Sequence, residues 1–111
     1  MFVTVDRNKT MVYNDTIYSN GENMKDIEEI SKMLKNLKSE TEIYNFMLEL
    51  FTKAELSTLS KRWRILNMLN QGVTQREIAK ELNVSLCKVT RGSKIIKDRN
   101  AVITKYLTKG I

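Results

Sequence analysis

Residues 74–91 run Thr74-Gln75-Arg76-Glu77-Ile78-Ala79-Lys80-Glu81-Leu82-Asn83-Val84-Ser85-Leu86-Cys87-Lys88-Val89-Thr90-Arg91, two short amphipathic segments about a tight corner. Thr74 followed by Glu77 is a capping box, in which hydroxyl and carboxylate each satisfy a free N–H of a first helical turn. It opens a helix over 75–82 with Ile78, Ala79 and Leu82 facing inward. Asn83 is among the few non-glycine residues that tolerate the positive φ of a tight turn. Ser85 then caps a second helix, about 86–96, with Val89 inward. Val84 and Val89 plug the space between the two helices, and Ala79 is small enough for them to cross closely. These features coincide in one span, and together they predict a helix-turn-helix over 74–97.

Helical spacing continues on both sides. Thr52 with Glu55 is another capping box and opens a helix whose buried face is Leu56, Leu59, Trp63 and Leu66, supported by Ile65 and Leu69, ending at Gln71-Gly72. Ser39 with Glu42 opens a further helix carrying Ile43, Phe46 or Met47, Leu50 and Phe51. Ile27, Ile30, Leu34 and Leu37 recur three and four apart, a helix over about 24–37. Downstream, Val102, Ile103, Tyr106 and Leu107 mark a last amphipathic segment over 101–108. Residues 1–22 carry no helical period, only short β-prone runs broken by Asn, Asp, Ser and Gly, and are expected to be an extension, flexible or loosely paired. The fold class is therefore all-α, with about six helices in one domain over 23–111.

Composition limits the chemistry. A chain of 111 residues with 41% hydrophobic and 29% charged side chains makes one small globular domain, which a core shared between two copies would help stabilise. No apolar run is long enough to span a bilayer, and no signal-peptide layout opens the chain, so a cytoplasmic protein without membrane association is expected. The single cysteine excludes an internal disulfide. The absence of histidine removes the commonest transition-metal ligand and the usual general base, so neither a metal cofactor nor enzymatic activity is expected. Charge is divided unevenly: residues 1–51 hold 6 basic and 9 acidic side chains, residues 52–100 hold 11 and 4. That basic half fits a polyanionic partner, or else a solvated lysine-rich face.

Thr74-Gln75-Arg76-Glu77-Ile78, Val89-Thr90-Arg91-Gly92-Ser93 and Lys97, with Arg62-Trp63-Arg64-Ile65 upstream, resemble the Trp repressor family over about 24–109. The resemblance implies an intertwined homodimer with two helix-turn-helix reading heads, acting as a transcriptional repressor on a palindromic operator in double-stranded DNA. It puts DNA contacts on Gln75, Arg76, Leu86, Cys87, Lys88 and Thr90. Their chemistry agrees: Arg76 can fork onto a guanine edge or a phosphate, Gln75 and Thr90 can hydrogen-bond phosphates, and Lys88 supplies charge.

The resemblance also implies L-tryptophan as corepressor, its indole sandwiched between Arg62 and Arg91 and its carboxylate meeting Arg62. Gly92 leaves room against the ring, and carbonyls from Glu49 to Thr52, including those of Phe51 and Thr52, take the amino group. Guanidinium groups suit both tasks, although either arginine can instead contact phosphate. Two features depart from the family pattern. Ile95 stands where some members place a small or hydroxyl side chain, and the link Gly72-Val73-Thr74 is one residue shorter. A DNA-binding regulator with a different effector or none is thus a second reading, and a helical interaction or RNA-binding module a third. Trp63 reads as core rather than ligand platform, and Cys87 as a small apolar contact.

Overall fold

The computed structural model describes residues 21–109, with side chains placed from Met24 onward. Six helices follow one another: α1 (Gly21–Asn36), α2 (Glu40–Leu50), α3 (Lys53–Asn70), α4 (Gln75–Leu82), α5 (Leu86–Lys97) and α6 (Val102–Lys109). No strand occurs among the described residues. The expected all-α class holds, while residues 1–20 of the expected extension lie outside the described residues. The chain divides into two compact units, one up to Phe46 and one from Met47, so the division falls inside α2.

In the first unit, α1 begins at Gly21, three residues before the expected start and six before Ile27, the first residue of its apolar period. The box that starts α2 is shifted from its expected form. Ser39 Oγ accepts from the Glu42 N–H at 3.2 Å as anticipated, but the Glu42 carboxylate accepts from the N–H of Lys38 at 2.6 Å rather than from that of Ser39. No described side chain of α1 is buried, nor any of α2 along its whole length.

The second unit is built around α3. Thr52 caps it with a complete reciprocal box: its hydroxyl accepts from Glu55 N–H at 3.1 Å and its own N–H donates to the Glu55 carboxylate at 2.9 Å. Ile65 of α3, Ile78 of α4 and Val89 of α5 form the core, with Met68, Leu69, Val73, Ala79, Leu82 and Val84 packed around them. Ile78 and Val89 expose 0% of their surface. The C-terminal helix is fastened to α5 by the Thr104 hydroxyl, which donates to the Ile95 carbonyl at 2.6 Å.

The buried side of α3 differs from the expected one. Leu66 is buried, but Leu56 and Leu59 are only half-buried and Trp63 is 43% exposed, tilted against Tyr106 with ring centroids 6.3 Å apart. At about 100° per residue, Ile65 and Trp63 lie about 200° apart around the helix axis. The apolar face of α3 thus reaches nearly halfway round the helix, from Ile65 and Leu69 through Leu66 to Trp63. The stripe with Ile65 and Leu69 receives α4 and α5, leaving Trp63 at an edge.

Asn83 closes α4 at φ 54°, ψ 52°, in the left-handed region anticipated from its side chain. A β-branched residue there meets its own carbonyl. Asn83→Gly should therefore hold stability within about 1 kcal/mol, whereas Asn83→Val should cost about 1–2 kcal/mol, as read by urea unfolding followed by circular dichroism.

Candidate nucleic-acid interface

Two caps and one turn set the geometry of α4 and α5. Thr74 Oγ1 accepts from Glu77 N–H at 3.2 Å, and the Glu77 carboxylate takes the Thr74 N–H at 3.4 Å. At the corner the Val84 N–H donates to the Ala79 carbonyl at 3.0 Å, which seals the end of α4. Ser85, extended at φ −70°, ψ 151°, accepts from Lys88 N–H at 3.3 Å and starts α5. The side chains following each cap are presented outward because the inward positions are taken by Ile78 and Val89.

Arg76, Leu86, Cys87, Lys88 and Thr90 are exposed and Gln75 is half-buried. Leu86 keeps 48% of its surface open, an apolar contact at the start of α5. Residues 75–97 contain six basic and two acidic side chains. Both acids are engaged on the protein: Glu77 in the cap of α4, and Glu81 with Arg64 of α3 at 3.9 Å. That ion pair has 61% of each side chain in solvent and is worth under about 1 kcal/mol, so its effect is local neutralisation rather than stability. The exposed face keeps the charge of Arg76, Lys80 and Lys88.

Of the six residues assigned to DNA contact, Gln75 and Thr90 meet directly. The Thr90 hydroxyl donates to Gln75 Oε1 at 3.0 Å across the α4–α5 corner. Fifteen residues separate them, and no local pattern announces such a bond.

The residues assigned to an amino-acid ligand all lie in the second unit. Arg62 and Arg91 are exposed on α3 and α5, two helices in direct contact. Ile95 and Phe51 are half-buried. Thr52 serves as the N-cap of α3, and its carbonyl accepts from Leu56 N–H at 2.9 Å. Gly92 is buried where α5 crosses α3: a Cβ there would come within 2.9 Å of Ile65 Cγ2 and 3.3 Å of Leu69 Cδ1. A glycine inside an amphipathic helix is the sequence signal of such a close approach. Among the described residues no group of three or more acidic or cysteine side chains suits a metal ion, and no helix is long and apolar enough to cross a membrane.

Residues 25–110 match the family model described as Trp repressor protein. The chain belongs to the Trp repressor family. A Trp operon repressor homolog of Xylella fastidiosa is 41% identical over 63 residues, 56% of this chain and 66% of that protein. A Trp operon repressor homolog of Chlamydia trachomatis is 34% identical over 71 residues, 60% of this chain and 76% of the relative. The match to the Xylella relatives thus spans just under two thirds of their length. No solved structure matches. Membership in a repressor family agrees with the expectation of a regulator rather than an enzyme.

The Gly92 environment yields a test that needs no ligand. Gly92→Val should destabilise the chain by about 1–3 kcal/mol through overpacking against Ile65 and Leu69, measured by thermal unfolding in buffer alone. Unchanged stability would mean that α5 stands off α3 in solution.

Proposed function

We propose that this chain is a sequence-specific DNA-binding transcriptional repressor that acts as a homodimer on a palindromic operator. Its helix-turn-helix is α4–turn–α5, with α5 entering the major groove. The observation that carries this reading is the corner itself. Two capped helices pack on α3 with a left-handed Asn83 between them and leave Arg76, Leu86, Cys87 and Lys88 exposed. In this role Arg76 forks onto a guanine edge or a phosphate. Leu86 and Cys87 give apolar contact to base edges, Lys88 supplies charge, and Gln75 and Thr90 serve the backbone. The relatives, named Trp operon repressor homologs, support the repressor role.

The homodimer is supported by unsatisfied apolar surface. Ile27, Met33 and Leu34 of α1, Ile43, Tyr44, Leu48 and Leu50 of α2, and Trp63 of α3 are all more than a third exposed. So many large side chains in water are costly at roughly 25 cal/mol per Å² of apolar surface. A second copy that buries them, and lies against the Leu56–Trp63 side of α3, offsets that cost.

L-tryptophan is the corepressor in this reading. Arg62 and Arg91 sit on adjoining helices and both are exposed, free to stack on an indole and to take a carboxylate. Phe51 and Thr52 lie where the α2–α3 connection offers carbonyls to the amino group. Ile95 favours a second reading in which the effector is different or absent. It is half-buried and brings a branched apolar side chain where a hydroxyl would serve an ammonium group.

The test is calorimetric titration of the purified chain with L-tryptophan, alone and with a duplex obtained by selection from random sequences. Heat of binding and tighter duplex retention are expected, and a flat titration with unchanged retention overturns the corepressor assignment. Arg76→Ala should weaken duplex binding about tenfold or more whether or not tryptophan is present. Arg62→Ala should chiefly remove the response to tryptophan, leaving ligand-free binding close to wild type. Equal losses in both assays would merge the two roles.

A further inference from the structure

The bond between Thr90 and Gln75 fixes more than the corner. A glutamine side chain has one end that only accepts and one that only donates, whereas a phosphate oxygen only accepts. Left to itself, the amide of Gln75 presents either end outward. With the Thr90 proton directed at Oε1 over 3.0 Å, the carbonyl end is held against α5 and the two N–H groups of Nε2 are turned away from it. The same bond occupies the single proton of the Thr90 hydroxyl.

We propose that Thr90 is a positioning residue for Gln75: it sets the amide of Gln75 donor-outward, so that Gln75 rather than Thr90 donates to a DNA phosphate. The inference rests on the DNA-binding reading above and deepens it. Two residues that read from sequence as independent contacts become one contact and its support. A side chain already held in its binding orientation loses less freedom on association, which is where the hydroxyl contributes affinity. Because the bond runs from α5 to the first residue of α4, the phosphate contact of Gln75 also registers the position of the recognition helix.

A double-variant cycle tests it on the full chain, with a duplex selected by the wild type. Thr90→Val removes the donor at nearly constant shape, Thr90→Ser keeps it, and Gln75→Ala removes the contact. Thr90→Val and Gln75→Ala are each expected to weaken binding about five- to tenfold. The double variant should be no weaker than Gln75→Ala alone, and Thr90→Ser should bind within about twofold of wild type. Gln75→Glu still accepts from Thr90 but offers no donor, and should bind less well than Gln75→Ala. In the free chain, the side-chain amide resonances of Gln75 should move in Thr90→Val and stay in Thr90→Ser. Losses that multiply in the double variant, a Thr90→Val chain that binds as wild type, or an unmoved Gln75 amide each overturn the inference. If the wild type selects no duplex, the DNA-binding reading falls and takes the inference with it. If selection succeeds and the losses multiply, only the inference falls.

Discussion

Ile78 and Val89 meet over Ile65 with no surface left to water, and a single backbone conformation brings them there. Asn83 at φ 54° turns the chain sharply enough for α5 to fold back across α4. The rest of the second unit is arranged around that contact. Val84 and Leu82 close its rim, Gly92 brings α5 down on α3, and Thr90 comes within hydrogen-bonding distance of Gln75. A side chain buried to this degree contributes about 1.5–3 kcal/mol over its exposed form, more than any exposed ion pair or cap in the unit. Packing therefore holds the corner, and the polar bonds orient what it displays.

α3 is what the corner packs on, and its apolar face is wide. Its Ile65–Leu69 side is filled by α4 and α5; on its Leu56–Trp63 side Tyr106 of α6 leans on the indole, and both rings stay nearly half exposed. A face that wide is more than the short helices packed on one side of it cover. The unburied apolar residues of α1 and α2 point the same way. Their helical spacing is regular, so a lack of covering surface, and not poor local structure, leaves them open.

Local chemistry explains which features were legible in the sequence. The boxes at Thr52 and Thr74, the cap at Ser85 and the left-handed Asn83 each involve residues within four positions of one another, and all four occur as read. All six helices were legible from their apolar spacing, with ends displaced by up to three residues. The orientation of α3 was not. Leu56, Leu59, Trp63 and Leu66 make as good a stripe as Ile65 and Leu69, and periodicity cannot rank two stripes on one helix. The same limit hid the Thr90–Gln75 bond, which depends on the angle between α4 and α5. Gly92 was visible as an assigned ligand contact, while its close approach to Ile65 depends on how two helices cross.

The crossing at Gly92 also bears on how an effector would act. Arg91, Gly92 and Ile95 share α5 with Leu86, Cys87, Lys88 and Thr90, a helix of 12 residues and about 18 Å. A ligand changes DNA affinity only by binding one arrangement of that helix better than another. Within α5 there is little to deform, because its hydrogen-bonded core is continuous from Leu86 to Lys97. What can differ is how the helix sits on α3, where the Gly92 contact leaves no slack, and on α6, where Thr104 grips the Ile95 carbonyl. In the proposed function a ring held between Arg62 and Arg91 bridges α3 and α5 at that same crossing, so it acts on the tilt of the whole recognition helix. In that reading the first turn of α5 shifts with the tilt of the helix on its Gly92 contact. On the same reading an effector site about the middle of the helix governs DNA contacts in its first turn without touching them.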